Sequence, residues 1–379
     1  MQLSIIILNY NVRYFLEQCI LSVQKAIQNL DAEIIVSDNN SSDDSCQMMK
    51  SLFPGVKLIE NKENLGFPKG NNTAVEQATG KYICILNPDT VVAEDTFTKI
   101  LNVFMGKPPL GVGGIGIIGC KLIDGTGNFL PESKRGIPTP WVAITKVFGL
   151  YKIADFFGKY YAQHLSENES GKVEILVGAF MLMERNLYNE IGGFDENCFM
   201  YSDDIDLSYM ALQKGTSNYY FHETTVIHYK GESTVRDEKY IKHFQHAMQF
   251  FYKKHFKKSF AFDYFMKIGA VAFSVIKKNQ STETKKQINE YIVFSKHPLI
   301  LNLSKKETLL SEFSQFKNDV NANIEIIFDT HSFSFCDIIH FMNTNKCKNL
   351  TFKNYNPKSN YIIGSNNSID RGEVIHVKN

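Results

Sequence analysis

The stretch Tyr82-Ile83-Cys84-Ile85-Leu86-Asn87-Pro88-Asp89-Thr90 constrains the chain most. A short Ile-rich run bounded by turn residues reads as a strand buried on both faces. Pro88 has no amide proton to give to a ladder, so the strand ends there. Asp89 is thereby fixed at the carboxyl end of a central strand, the edge at which open α/β sheets bind ligands. A carboxylate held at that edge suits a hard divalent cation carrying phosphate oxygens. Taken alone, the same residues also fit an Asx-type turn leading into a helix at Glu94.

The neighbouring segments supply the sheet. Residues 3–8, 33–38 and 56–59 are strand-like, and Leu16, Ile20, Val23 and Ile27 recur at helical spacing after the first of them. The second strand ends on Asp38 and runs into the polar turn Asn39-Asn40-Ser41-Ser42-Asp43-Asp44, a helix-start signal. Asn64-Leu65-Gly66-Phe67-Pro68-Lys69-Gly70-Asn71-Asn72 opens a helix that ends near Gly80. Strand and helix alternate at the spacing of a mostly parallel, Rossmann-like sheet. No Gly-x-Gly-x-x-Gly follows the first strand, and no Gly-x-x-x-x-Gly-Lys-Ser/Thr occurs, so dinucleotide and P-loop chemistry are disfavoured. The run of residues 111–116 precedes a strand, 117–122, rather than opening a helix, and reads as a loop.

Beyond residue 125 the chain changes character. Pro131, Pro138 and Pro140 punctuate a long connection that also holds Lys134, Arg135 and the sole tryptophan, Trp141. After a further apolar run at 173–183 come Gly193-Phe194-Asp195 and then Asp203-Asp204-Ile205-Asp206-Leu207, which opens a helix to about Lys214. Acids in a first turn are favoured by the helix dipole whatever their function. Two short strands, 219–221 and 225–228, follow, the second ending on His228, either a structural histidine or a metal ligand. Residues 238–258 read as a helix. The basic–aromatic block at 250–278 fits either peripheral contact with an anionic membrane or packing on the preceding domain. The division expected is a catalytic domain at 1–235, a helical segment at 236–290 and a small α/β domain at 291–379. The last has strands at 299–301, 324–328, 350–352 and 361–363 and helices near 305–317 and 335–343. Residues 364–368 form a turn or a phosphate-binding nest.

Composition narrows the class. The 379 residues are 44% hydrophobic, enough for a large core, and the net charge of +1 gives no field for nucleic acid. None of the seven cysteines stands in a Cys-x-x-Cys pair, so neither a zinc site nor a disulfide framework is indicated. No secretion signal opens the chain and no stretch of about 20 apolar residues occurs, so a cytoplasmic protein is expected.

The ordered set Ser4-Ile5-Ile6-Ile7-Leu8-Asn9-Tyr10-Asn11, residues 36–43, Asn64-Leu65-Gly66-Phe67, Leu86-Asn87-Pro88-Asp89, Gly193-Phe194-Asp195, residues 203–207 and His228 resembles the inverting family-2 nucleotide-sugar glycosyltransferases of GT-A fold. The likeness is nearest to bacterial rhamnosyltransferase-like members that build surface polysaccharide. It covers about the first 235 residues. The resemblance implies that Asp38 binds the donor's pyrimidine base and that Asn9, Asn11, Asn40, Asn64, Lys69, Asn71 and Asn87 line the nucleotide site. Asp89 becomes the surviving acid of an Asp-x-Asp metal motif, with His228 completing a site for Mg²⁺ or Mn²⁺. Asp204 becomes the general base, with Asp203 as its neighbour or stand-in. Lys134, Arg135 and Trp141 are assigned to the acceptor side. The implied substrates are a UDP- or dTDP-sugar and a glycan or lipid-linked glycan. The competing readings are a sugar nucleotidyltransferase, which lacks its basic Gly-rich loop here, and a non-catalytic scaffold in polysaccharide assembly.

Overall fold

A computed structural model of the chain describes residues 1–106, 114–139, 161–230, 238–256, 287–366 and 372–377, with side chains from His246 onward in the helix that begins at Glu238. Trp141, residues 111–113 of the Gly-rich run, residues 367–368 of the turn at 364–368, and residues 257–278 of the basic–aromatic block lie outside them.

The apolar runs do what a parallel sheet requires. In order they form β1 (Leu3–Asn9), α1 (Arg13–Ala26), β2 (Ala32–Asp38), α2 (Ser45–Leu52), β3 (Lys57–Glu60), α3 (Gly66–Val75), β4 (Tyr82–Leu86), the two-residue β5 (Thr90–Val91) and α4 (Thr96–Met105). There follow β6 (Ile115–Ile123), β7 (Gly171–Val173), β8 (Phe180–Glu184), α5 (Arg185–Glu190), α6 (Asp203–Gln213), β9 (Ser217–His228) and α7 (Glu238–His255). Among the described residues these strands make one sheet of order β3-β2-β1-β4-β8-β6-β9-β5, with β7 on β9. β1 to β4 are mutually parallel, and β8 runs against both its neighbours. Side-chain alternation divides the core between the two faces. Ile5, Ile7, Cys84 and Leu86 pack with α1, α2 and α4 on one side. Ile6, Ile83 and Ile85 pack with α3, α5 and α6 on the other.

A second sheet follows: β10 (Glu290–Phe294), β11 (Glu307–Leu310), β12 (Ile324–Asp329), α8 (Phe335–Thr344), β13 (Leu350–Asn356), β14 (Tyr361–Gly364) and β15 (Glu373–His376), in the order β11-β10-β12-β13-β14-β15. Here the sequence reading fails in several places. No strand forms at 299–301. The helix expected at 305–317 is instead β11 and a short 3₁₀ turn at Phe313–Gln315. The strands β10 and β15 were not foreseen. The two short strands expected at 219–221 and 225–228 are one strand, β9, whose register against β6 shifts between Cys120 and Lys121. The start of the basic–aromatic block packs inward: Phe251 and Tyr252 are buried with Ile175 and Ile205. Among the described residues no helix is long and apolar enough to cross a membrane. All seven cysteines are free thiols.

Candidate functional site

The strand ends of the parallel half place the first residues. Asn9 and Asp38 end β1 and β2 side by side. Asp38 is buried and held by protein donors: its Oδ1 accepts from the Ser41 backbone amide at 2.8 Å, and its Oδ2 from the Asn9 side-chain amide and the Ser41 hydroxyl, each at 2.7 Å. A carboxylate holding three such bonds fixes the 39–43 loop. Asn11 and Asn40 both occupy the left-handed region, φ 55° and 60°, which Asn tolerates through its short polar side chain. The Asn11 side-chain Oδ1 accepts from the Ser42 amide at 2.7 Å and so ties the loops after β1 and β2 together. Asn64 accepts from the Gly66 amide at the start of α3, 3.0 Å away, and Lys69 is exposed on that helix. Asn71 is fully buried, its amide donating to the Phe67 carbonyl. It supports α3 rather than opening onto the cleft.

β4 lies beside β1, so Asn87 and Asp89 emerge at the same edge. β5 starts one residue later and pairs with the end of β9, with Thr90 opposite His228. That two-residue pairing brings together Asp89 and His228, distant in sequence: His228 Nε2 lies 3.4 Å from Asp89 Oδ1 and 3.4 Å from Asn87 Nδ2. Asp89 Oδ1 and His228 Nδ1 are buried with no hydrogen-bond partner. An unsatisfied carboxylate oxygen beside an imidazole is expensive unless a cation joins them. Among the described residues no group of three His, Cys, Asp or Glu side chains could hold an ion alone. The donor set therefore fits a cation that takes the rest of its shell from phosphate oxygens and water, as Mg²⁺ and Mn²⁺ do.

The acidic helix start faces the same edge. Asp204 Oδ2 accepts from Arg135 Nη2 at 2.6 Å and from the Gly178 amide at 3.0 Å. The next residue, Ala179, accepts the Asn87 amide at 3.1 Å. Two consecutive residues thus link Asp204 to the strand end that carries Asp89. A Cβ at position 178 would stand 3.3 Å from Asp204 Cβ and 3.6 Å from the Phe67 ring, so the backbone here runs close to the Asp204 side chain. Tyr201, left-handed at φ 79°, turns the chain into α6. The three acids of its first turn have three different environments. Asp206 is bound by Lys254 and His255 of α7 and is structural. Among the described residues, the bonds to Asp204 end on Oδ2. Asp203 Oδ1 is buried without a partner.

Burial, and then the charge on Asp204, push the Asp203 carboxyl from 3.8 up to about 7. Because the folded chain binds that proton more tightly than the unfolded chain, the associated stability is fully present below 3.8 and is lost as pH rises to about 7. Asp203→Asn, neutral throughout, should remove this slope. Thermal melts from pH 5 to pH 8 test it: the wild type should lose melting temperature relative to the variant as pH rises. Parallel curves would show that Asp203 does not titrate there.

Three further residues bear on the sequence reading. Arg135, expected near the acceptor, anchors Asp204. Lys134, expected beside it, donates its ammonium to the carbonyls of Tyr161, Ala162 and Leu165 and closes a loop. Gly178 was overlooked as an anchor, although its place in the middle of an apolar run, next to Ala179, was a signal of close backbone approach.

An open, mostly parallel sheet with carboxylates on its carboxyl edge and an acidic helix start tied to that edge fits a glycosyltransferase of GT-A fold. The sequence pattern of "Glycosyl transferase family 2" matches residues 4–206. The chain belongs to that family. It is 24% identical over 246 residues to the N-acetylglucosaminyl-diphospho-decaprenol L-rhamnosyltransferase of Mycobacterium tuberculosis, covering 62% of this chain and 78% of the relative. It is 30% identical over 194 residues to the GalNAc(5)-diNAcBac-PP-undecaprenol beta-1,3-glucosyltransferase of Campylobacter jejuni, covering 50% of this chain and 60% of that one. Among solved structures it is similar to the mannosyltransferase PcManGT of Pyrobaculum calidifontis, in complex with GDP-Man and Mn²⁺, at 18% identity and a TM-score of 0.49, over 74% of this chain and 76% of that one.

Proposed function

We propose that the chain is an inverting, divalent-cation-dependent glycosyltransferase that moves a sugar from a UDP- or dTDP-sugar to a hydroxyl of a lipid-linked glycan. The observation that carries the proposal is the two-residue link, Gly178–Ala179, between the Asp204 carboxylate and the Asn87–Asp89 strand end. It supports reading Asp204 as a proton acceptor next to a phosphate-binding edge, the arrangement that in-line displacement at an anomeric carbon needs. The names of both relatives specify polyprenyl-diphosphate-linked glycans, and this supports the acceptor class. Rhamnose is the first donor sugar to test.

In this mechanism the acceptor is positioned with its hydroxyl on Asp204 Oδ1. Asp204 removes the proton as the hydroxyl oxygen attacks the anomeric carbon. The bond from that carbon to the diphosphate oxygen breaks on the opposite face, so configuration inverts. Arg135 and the Gly178 amide keep the carboxylate aimed throughout. Asp38 and Asn9 hold the loop against which the pyrimidine rests. A cation bound by Asp89 and His228, with Asn87 beside them, would neutralise charge on the leaving diphosphate.

A thermal-shift screen of UDP- and dTDP-sugars, with and without Mn²⁺, tests the reading. The expected result is a Mn²⁺-dependent rise in melting temperature with one base, and slow release of nucleoside diphosphate from the matching donor. No shift and no release with any donor would favour the scaffold reading instead.

A further inference from the structure

The carboxyl-terminal sheet lies outside the residues matched by the family, and no step proposed above uses it. Its contacts fall on α1, through Tyr14, Glu17 and Lys25, and also on the two chain segments that carry Asp89 and His228. Downstream of Asp89, Glu94 leaves the catalytic sheet and caps α8: its two carboxylate oxygens accept from the amides of Phe335 and Cys336, each at 2.8 Å. An anion at a helix start is held by converging amides and by the helix dipole. Directly after His228, Tyr229 donates its amide to the Asp89 carbonyl at 3.0 Å. Its buried ring packs edge-on against Phe15, with centroids 5.1 Å apart. Its hydroxyl accepts from Asn354 Nδ2 of β13 at 3.2 Å.

The apolar packing runs the same way. Val91, Ile227 and Tyr229 share one core with Phe294, Phe328 and Phe352 of the second sheet. Ile227 and Tyr229 flank His228 and both enter that core, so strand alternation sends the imidazole to the opposite side, toward Asp89. A Cβ on Gly125 would meet the Ser365 carbonyl oxygen at 2.5 Å and the Tyr229 ring at 3.1 Å, so the sheet also closes against the turn after β6.

We infer that the carboxyl-terminal sheet is a built-in buttress of the cation site, and that Glu94, Tyr229 and Asn354 are positioning residues that fix the separation of Asp89 and His228. The inference rests on the reading of that pair as cation ligands. The physical reason is that β5, only two residues long, has too little ladder of its own to hold two ligands in register. A close-packed core behind it supplies the stiffness. Partners one shell out from a metal typically govern its affinity by 10–100-fold.

Calorimetric titration of Mn²⁺ in the presence of UDP, on the full chain, tests this with Glu94→Ala, Asn354→Ala and His228→Ala. The expected result is that Glu94→Ala and Asn354→Ala each need roughly 10-fold more Mn²⁺ than wild type, while UDP binding without metal stays unchanged and turnover recovers at saturating Mn²⁺. Such metal-dependent rescue would not follow from general loss of structure. Asn354→Ala removes a single hydrogen bond to a phenol and carries the test should Glu94→Ala fail to fold. A wild-type Mn²⁺ requirement in the folded Asn354→Ala protein, with His228→Ala impaired, overturns the buttress and leaves the cation site standing. A wild-type requirement in all three overturns both.

Discussion

Asp204→Asn is expected to lower turnover by about 10²-fold or more, the usual range for loss of a general base, while donor binding survives. The substitution keeps the shape of the side chain and an oxygen for the Gly178 amide, so the link to the Asn87 strand end persists. It removes the charge that pairs with Arg135 and the lone-pair basicity that an acceptor hydroxyl needs. Asp203 is the alternative base, and its environment argues against it: its Oδ1 is buried without a partner, and its proton stays bound up to about pH 7. Initial-rate measurements with saturating donor, beside calorimetry with nucleoside diphosphate, separate the two roles. Near-normal turnover in Asp204→Asn would remove it from the mechanism. A wild-type rate in Asp203→Asn alongside a collapse in Asp204→Asn would fix the assignment.

What the sequence disclosed follows from where burial is two-sided. β1, β2 and β4 are covered on both faces, so each reads as a continuous apolar run closed by Asn9, Asp38 or Asn87. The carboxyl edge of the sheet was legible for that reason. In the second sheet the signals conflict. Leu309, Phe313 and Phe316 recur at near-helical spacing, yet Glu307–Leu310 pairs with β10 along its length. Tertiary pairing decided the conformation there, as it often does for short strands. His222 and Glu223 broke the apolar pattern of β9 and made one bulged strand look like two.

The functional contacts that escaped the sequence are all long-range. Arg135 and Asp204 are 69 positions apart, and nothing in their spacing announces a salt bridge. Lys134 and Arg135 are adjacent and alike in charge, yet one closes a loop by binding carbonyls while the other anchors the proposed base. Periodicity says which way a side chain leaves its own element and nothing about which element meets it. The end of β9 illustrates the limit. His228 was identifiable as a strand end, but its partner is chosen by β5, a strand too short to carry any periodic signal.

Asp89→Ala is expected to abolish the metal-dependent part of nucleotide binding, a loss at least as large as the 10–100-fold that follows when a partner one shell further out is removed. The imidazole of His228 must be neutral to ligate, so Asp89 is the one negative ligand the protein itself contributes to the pair. Without it, a single imidazole and the Asn87 amide face the diphosphate, too weak a set to concentrate a hard cation. The nucleoside end should be untouched, because Asn9 at the end of β1, Asp38 at the end of β2 and Ser41 in the following loop bind one another rather than Asp89. Calorimetry with UDP should therefore give the same weak binding for both proteins in the presence of a chelator. Added Mn²⁺ should strengthen binding in the wild type alone. Asp89→Asn, which restores an oxygen without the charge, should lie between the two. Equal strengthening by Mn²⁺ in wild type and Asp89→Ala would place the cation elsewhere. The buried, unsatisfied Oδ1 of Asp89 would then need another occupant.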